Sequence, residues 1–108
     1  MPRLRLLLDA PDPQAYLEMI RELRRCSQCI TVPMGRETGW LVIARGTALA
    51  VITPSEASLY APTLHSPTPT LQVVIEVEGE ALDVATLANM IVETAWKHGL
   101  KIRPMPSR

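Results

Sequence analysis

Two continuous apolar runs near the middle of the chain place the strongest constraint on its fold. The first covers residues 40–44 and the second residues 48–52, and only Arg45, Gly46 and Thr47 separate them. Short runs that are apolar at every position, joined by a tight turn with glycine, are typical of a β-hairpin covered on both faces. Any fold proposed for this chain must therefore account for the covering of both faces.

A strand with one apolar side is predicted after residue 70. Leu71, Val73, Ile75 and Val77 alternate with three polar residues and one valine, and Gly79 ends the segment. A period of two residues is typical of a strand with one buried face. Shorter segments predict three more strands: Leu4, Leu6 and Leu8 near the N-terminus, 29–32 before Pro33 and near a sheet edge, and Leu100 with Ile102 near the C-terminus.

Two longer helices are predicted from their caps and their apolar spacing. Asp12 before Pro13 predicts a helix over 13–25, because an aspartate N-cap followed by proline is a common helix start. Asp83 is the predicted cap of a second helix, which Gly99 ends. One face of each helix repeats apolar residues at a spacing of three and four. These faces contain Tyr16, Met19, Ile20 and Leu23 in the first helix and Val84, Leu87, Ala88, Ile91 and Ala95 in the second.

The segment between the hairpin and the alternating strand carries signals for a short helix and a loop. Thr53, Pro54 and Glu56 have the spacing of a capping box, which predicts a turn or two of helix as far as Tyr60. Residues 61–70 contain three prolines and predict an extended loop.

These elements predict a single α+β domain over residues 1–108, with a frayed tail at 104–108. Without the inserted short helix and one hairpin arm, their order is the ferredoxin-like (split β-α-β) plan. This plan is a two-layer sandwich with two helices on one face of a mainly antiparallel sheet. A chain of 108 residues with 47% apolar residues can build one such core.

The apolar hairpin fits a two-layer plan poorly, because such a plan leaves one face of the sheet in water. Either the Pro-rich loop folds over this second face or a second copy of the chain covers it, and we favour the second copy. The expected interface residues are Trp40, Val42, Leu49 and Val51.

Cys26 and Cys29 form a Cys-x-x-Cys motif, which occurs in dithiol enzymes and in zinc sites. The pair follows a helix, whose C-terminal dipole opposes a thiolate, whereas dithiol enzymes place the motif at a helix N-terminus. His65 and His98 lack the spacing that a four-ligand zinc site requires. We favour two unpaired thiols at a helix-to-strand turn; the alternatives are a local or intermolecular disulfide and, last, a metal site.

The chain carries eleven basic and eleven acidic residues, so its net charge does not favour binding to nucleic acid or anionic lipid. Five arginines in the first quarter of the chain are nevertheless candidates for a local basic patch. We expect these arginines to form a solvated face that engages Glu76 or Glu78, or to attract an acidic partner. The candidate patch contains Arg3, Arg5, Arg21, Arg24 and Arg25.

No set of residues with catalytic spacing is found. His98 lies in the last turn of a helix, where it interacts with the helix dipole, and His65 lies in the Pro-rich loop. The acidic residues between Glu76 and Asp83 are expected to be solvated surface rather than a cation site. We therefore predict no catalytic residues, no cofactor and no metal.

The function predicted from these features is a non-enzymatic protein–protein interaction module, a homodimeric subunit or adaptor. The alternative is a small-molecule-binding or regulatory domain with a pocket under residues 62–69, near Trp40 and His65. A nucleic-acid accessory protein that uses the arginines ranks third. The N-terminus does not resemble a secretory signal, and the longest apolar stretches are too short to span a bilayer, so we expect a cytoplasmic protein.

Overall fold

One antiparallel sheet of six strands dominates the computed structural model of the chain, which describes residues 2–34, 40–54 and 71–105. Across the sheet the strand order is β2-β3-β4-β5-β1-β6. The strands are β1 (Arg3–Ala10), β2 (Ile30–Met34), β3 (Trp40–Arg45), β4 (Ala48–Pro54), β5 (Leu71–Glu78) and β6 (Lys101–Pro104). The predicted α+β class is confirmed.

Two helices pack on the same face of this sheet. They are α1 (Pro13–Leu23) and α2 (Ala81–Lys97), which contact each other; α1 also contacts β1, and α2 contacts β4, β5 and β6. Their apolar faces and the inward residues of the strands form one buried cluster. The helix residues predicted to face the core are all buried.

The start of α1 is as predicted, and the start of α2 is not. The Asp12 carboxylate accepts a hydrogen bond from the Gln14 N–H at 3.0 Å, and α1 ends at Leu23, two residues before the predicted end. In α2 the N-cap is Glu80 rather than Asp83, and the Val84 N–H already donates to the Glu80 carbonyl. Asp83 lies inside the first turn, where its carboxylate is free to bind another part of the chain.

The predicted hairpin consists of β3 and β4, joined by Gly46 and Thr47, with Arg45 paired to Ala48. Its strands alternate in burial, so that Leu41 and Ile43 are fully buried under the helices while the residues between them face the other side. The described residues therefore cover one side of the hairpin, and not both as its apolar sequence predicts.

The prediction of a helix starting at Pro54 is wrong. Thr53 and Pro54 lie in β4, where they pair with Val74 and Val73 of β5. The neighbouring strand thus supplies backbone partners that keep the chain extended beyond the capping-box threonine. The rest of the predicted short helix and the Pro-rich loop at 61–70 lie outside the described residues.

Candidate interaction surface

The sheet face opposite the helices, here called the open face, changes from apolar to charged across the strands. Its side chains form rows, because paired residues on neighbouring strands point the same way. One row runs through Val32, Val42, Val51, Glu76 and Arg5. The next row has the same pattern and runs through Ile30, Ala44, Leu49, Glu78 and Arg3. In these two rows the polarity changes between β4 and β5, whereas the row through Thr53, Val74 and Leu7 stays uncharged there.

The part of the open face formed by β2, β3 and β4 exposes several aliphatic side chains. Ile30 is 72% exposed and Val32 50%, and on the hairpin Leu49 is 38% and Val51 37% exposed. Exposed apolar residues are unremarkable when they occur singly, whereas a contiguous group indicates a contact surface. We call this group the apolar half-face; it contains Ile30, Val32, Trp40, Val42, Ala44, Leu49 and Val51.

The structure brings all four predicted interface residues into this half-face. Sequence reasoning missed Ile30 and Val32, which are its two most exposed members. The signal was present in the sequence: two β-branched residues two apart in a strand ended by Pro33 predict one shared side of an edge strand. The spacing alone does not show which side of that strand faces water.

The other half of the open face, on β5, β1 and β6, carries ion pairs across neighbouring strands. Arg3 Nη2 lies 3.1 Å from Glu78 Oε2, and Arg5 Nε lies 3.4 Å from Glu76 Oε1. The predicted pairing of arginines with these two glutamates is thus confirmed for the strand arginines. Exposed pairs of this kind stabilise a fold little, but here they leave this half of the face close to neutral. A third pair joins Arg103 to Asp9 at 3.6 Å.

The five arginines of the candidate basic patch do not form one surface. Arg3 and Arg5 lie on the open face, whereas Arg21, Arg24 and Arg25 lie at the exposed end of α1, in the helix layer. The sheet separates the two groups. A continuous basic surface for nucleic acid is therefore not formed by these residues.

Cys26 and Cys29 are joined by a disulfide, so the favoured interpretation of two unpaired thiols does not describe this structure. The turn after α1 brings their α-carbons within 5.4 Å, a separation that suits a disulfide. The Cys26 N–H donates to the Leu23 carbonyl at the end of α1, and Cys29 directly precedes β2. The bond therefore closes the turn between a helix and the edge strand.

The chain matches no protein-family model, and no curated protein has a significantly similar sequence.

His98 has a structural role at the contact between the two helices. It is the C-cap residue of α2, and its Nε2 lies 3.2 Å from Glu22 Oε1 on α1. Lys97 Nζ donates to the other oxygen of Glu22 at 2.8 Å. Hydrogen bonds first from Lys97 and then from His98 hold the pKa of the Glu22 carboxyl below its usual value.

The acidic residues around the end of β5 have separate partners. Glu76 and Glu78 pair with arginines, and Asp83 accepts hydrogen bonds from both the N–H and the hydroxyl of Thr47, at 2.9 and 2.7 Å. Within residues 2–34, 40–54 and 71–105, no three His, Cys, Asp or Glu side chains form a group that could hold a metal ion.

The predicted pocket under residues 62–69, including His65, lies outside the described residues. Trp40, its other predicted neighbour, is half-buried, and its Nε1 is buried with no hydrogen-bond acceptor in the described part of the chain. In the same part of the chain, neither helix has the length and apolar character needed to cross a bilayer.

Proposed function

We propose that this protein is a non-enzymatic interaction module that forms a homodimer through its apolar half-face and acts as a subunit or adaptor. The observation that supports this proposal is the contiguous group of exposed aliphatic side chains on β2, β3 and β4. Burying such side chains against an apolar partner is favourable by about 25 cal/mol per Å² of apolar surface.

The occupant that fits this half-face best is a second copy of the chain. A two-fold axis through the half-face places apolar rows on apolar rows, as an isologous contact requires. The adjoining charged half has its arginines already paired with Glu76 and Glu78, so it offers no strong field that would select a charged partner. The apolar surface is thus the dominant recognition element of the open face.

Contact between the sheet faces is favoured over pairing of edge strands. The edge strand β2 contains Pro33, which lacks an N–H, and proline in an edge strand hinders the addition of another strand. The exposed side chains of Ile30 and Val32 point out of the sheet, in the row direction of Val42 and Ala44. They can therefore contact a partner that lies over the face.

The size of the half-face predicts a dimer that dissociates readily. Three strands at about 4.8 Å spacing and roughly 20 Å length cover about 300 Å² of sheet plane in each copy. Specific stable interfaces bury about 800 Å² of accessible surface on each partner. We therefore expect a dimer at the weak end of specific complexes, one that dissociates on dilution.

A dimer of this geometry leaves the helix layer free for other partners. Arg21, Arg24 and Arg25 are exposed there, and they form no ion pair with other described residues. We assign to this end of α1 an acidic protein partner, which would make the dimer an adaptor.

We also propose that the architecture is the ferredoxin-like plan with an added hairpin arm. Two features of the sheet support this: β1 lies between β5 and β6, which α2 connects, and β5 lies between β4 and β1. In this interpretation β2 and β3 are the added arm. An experimental structure in which β1 did not separate β5 from β6 would overturn it.

The experiment that tests the dimer is light scattering on a size-exclusion column over a concentration series, with and without reductant. We expect a dimer mass at roughly 100 µM protein that falls toward the monomer mass on dilution. Val51→Lys, on the apolar half-face, should give a folded monomer because it places an ammonium group in an apolar contact, and the neighbouring Glu76 is already paired with Arg5. Leu82→Lys is the matched control, because Leu82 is 78% exposed on α2 and lies outside the half-face.

Two results would contradict the proposal. One is a monomer mass for the unmodified protein throughout the series. The other is a Val51→Lys variant that remains as dimeric as Leu82→Lys. Circular dichroism of both variants distinguishes dissociation from unfolding.

A further inference from the structure

A cleft of about 490 Å³ lies beside the disulfide, on the helix side of the molecule. It is bordered by the end of α1, residues 26–28 of the following turn, Arg45 of β3 and the C-terminal part of α2. Its polar lining consists mainly of Glu22, Arg25, Cys26, Gln28, Arg45 and Lys97.

The charge of this cleft favours an anion. Three cationic side chains line it against one carboxylate, that of Glu22, which Lys97 and His98 already engage. Arg45 is held in place by its hydrogen bond to Gln28 Oε1 at 2.8 Å. Arg25 forms no ion pair with any described residue, so its guanidinium is available to a ligand.

One cysteine of the disulfide lines this cleft. Cys26 is among the lining residues and Cys29 is not. Both cysteines are only half-buried, so a small reagent in the cleft can reach the bond from the side of Cys26.

We propose that Cys26–Cys29 is a redox-active disulfide and that this cleft binds its reductant, a small thiol that carries a negative charge. The carboxylate or sulfonate of the thiol pairs with Arg25 and Arg45, since guanidinium groups bind the oxygens of such anions through paired N–H donors. The inference is independent of the proposed dimer, because the cleft lies in the helix layer and not on the open face.

The reaction is thiol–disulfide exchange in two steps. The thiolate of the ligand attacks Sγ of Cys26, the bond between Cys26 and Cys29 breaks, and its electron pair leaves on Sγ of Cys29, which takes a proton from water. A second thiolate then attacks the ligand sulfur of the mixed disulfide. The bond between that sulfur and Sγ of Cys26 breaks, its electron pair leaves on Sγ of Cys26, which takes a proton from water, and the disulfide-linked ligand is released. In sum, the two cysteines gain two electrons and two protons, and two thiol molecules lose them.

The test compares three small thiols of similar size and different charge: 2-mercaptoethanesulfonate, 2-mercaptoethanol and cysteamine. Reduction is followed by quenching with iodoacetamide and mass spectrometry, and each rate is divided by the thiolate concentration. At low ionic strength we expect the anionic thiol to react about tenfold faster than the cationic one, with the neutral thiol between them. Added salt should reduce this preference.

Variants connect the preference to the cleft. Arg25→Gln and Arg45→Gln should each reduce it, whereas Arg3→Gln, on the open face and outside the cleft, should leave it unchanged. Equal rates for the three thiols would overturn the proposal, as would an equal loss in Arg3→Gln. Cysteines that iodoacetamide still modifies after treatment with oxidised glutathione would also overturn the proposal, because they would not have formed the disulfide.

Single-cysteine variants test which sulfur is attacked. Treated with the disulfide-linked form of 2-mercaptoethanesulfonate, Cys29→Ser should form a mixed disulfide at Cys26 faster than Cys26→Ser forms one at Cys29. The opposite order would overturn the assignment of Cys26.

Discussion

Among single residues, Asp83 shows how a side chain that is well placed for one role can have another. Its position at the start of a helix predicts a cap, yet its carboxylate instead holds the hairpin turn through the N–H and hydroxyl of Thr47. Thr47 in turn accepts a hydrogen bond from the Glu80 N–H at 3.1 Å. These three bonds join the turn between β3 and β4 to the first turn of α2.

The Asp83 carboxylate should make stability depend on pH. Its hydrogen bonds, first from the Thr47 N–H and then from the hydroxyl, hold the pKa of Asp83 below its usual value. Because the pKa is lower in the folded state, this stabilisation is present above about pH 4, the ordinary aspartate pKa, and is lost as the pH falls through the folded value.

Thermal unfolding of Asp83→Asn across this pH range measures the effect. The variant should melt at a lower temperature than the unmodified protein at pH 7, and the difference should shrink in acid. A difference that stayed constant with pH would show that the charge of Asp83 contributes nothing.

Two glycines differ in what surrounds them, and this predicts different costs for the same substitution. Gly79 has a φ of +150°, and a Cβ there would lie 2.6 Å from the Thr47 carbonyl oxygen and 2.7 Å from the Ala48 Cα. Gly99 has a φ of +73°, and among the described residues no atom beyond its own chain neighbours lies within 4 Å of its Cβ position.

Gly79→Ala should therefore lower the free energy of unfolding by roughly 3 kcal/mol, because alanine is strained at this φ and meets rigid backbone. Gly99→Ala, the control, should lower the free energy of unfolding by only about 1 kcal/mol, because alanine is less stable than glycine in a left-handed conformation. Urea unfolding of both variants gives the two values. Equal losses would show that the close approach of β4 to Gly79 has no energetic weight.

At the scale of elements, local patterns in the sequence predicted most of what was found. The alternation from Leu71 to Val77 predicted β5, and Asp12 with Pro13 predicted the start of α1. These signals work because the period and the cap are properties of neighbouring residues. The same reasoning failed at Pro54, where pairing with Val73 of a distant strand outweighed a capping signal.

The contacts between elements were beyond such reasoning. Lys97 meets Glu22 across 75 positions, and Thr47 meets Asp83 across 36. The periodicity of neighbouring residues carries no information about a contact with a residue that far away in the sequence. For the candidate surface, the apolar composition of the hairpin indicated that its second side needed a partner, whereas the change of polarity between β4 and β5 became visible only with the strand order.

At the scale of the whole molecule, the two layers present different chemistry. The open face offers aliphatic side chains at one end, and the helix layer offers Arg21, Arg24 and Arg25 at the end of α1. The proposed dimer and the proposed acidic partner therefore use opposite sides of the molecule and do not compete.

Binding of poly-glutamate, followed by fluorescence anisotropy, tests the second of these partners. We expect binding that weakens with added salt and is reduced in a variant with Arg21→Gln and Arg24→Gln. Arg3→Gln, on the open face, is the matched control and should bind as the unmodified protein does. Binding that is insensitive to salt, or lost equally in the control, would contradict an acidic partner at α1.

The strand order also determines when the sheet can be completed as the chain is synthesised. β1 is made first, but both of its neighbours, β5 and β6, lie beyond residue 70. Until those residues leave the ribosome, β1 has no strand to pair with, while β2, β3 and β4 can already form their aliphatic surface. A nascent chain therefore exposes that surface before the charged strands beside it are in place. Premature association of nascent chains is most easily started during this interval.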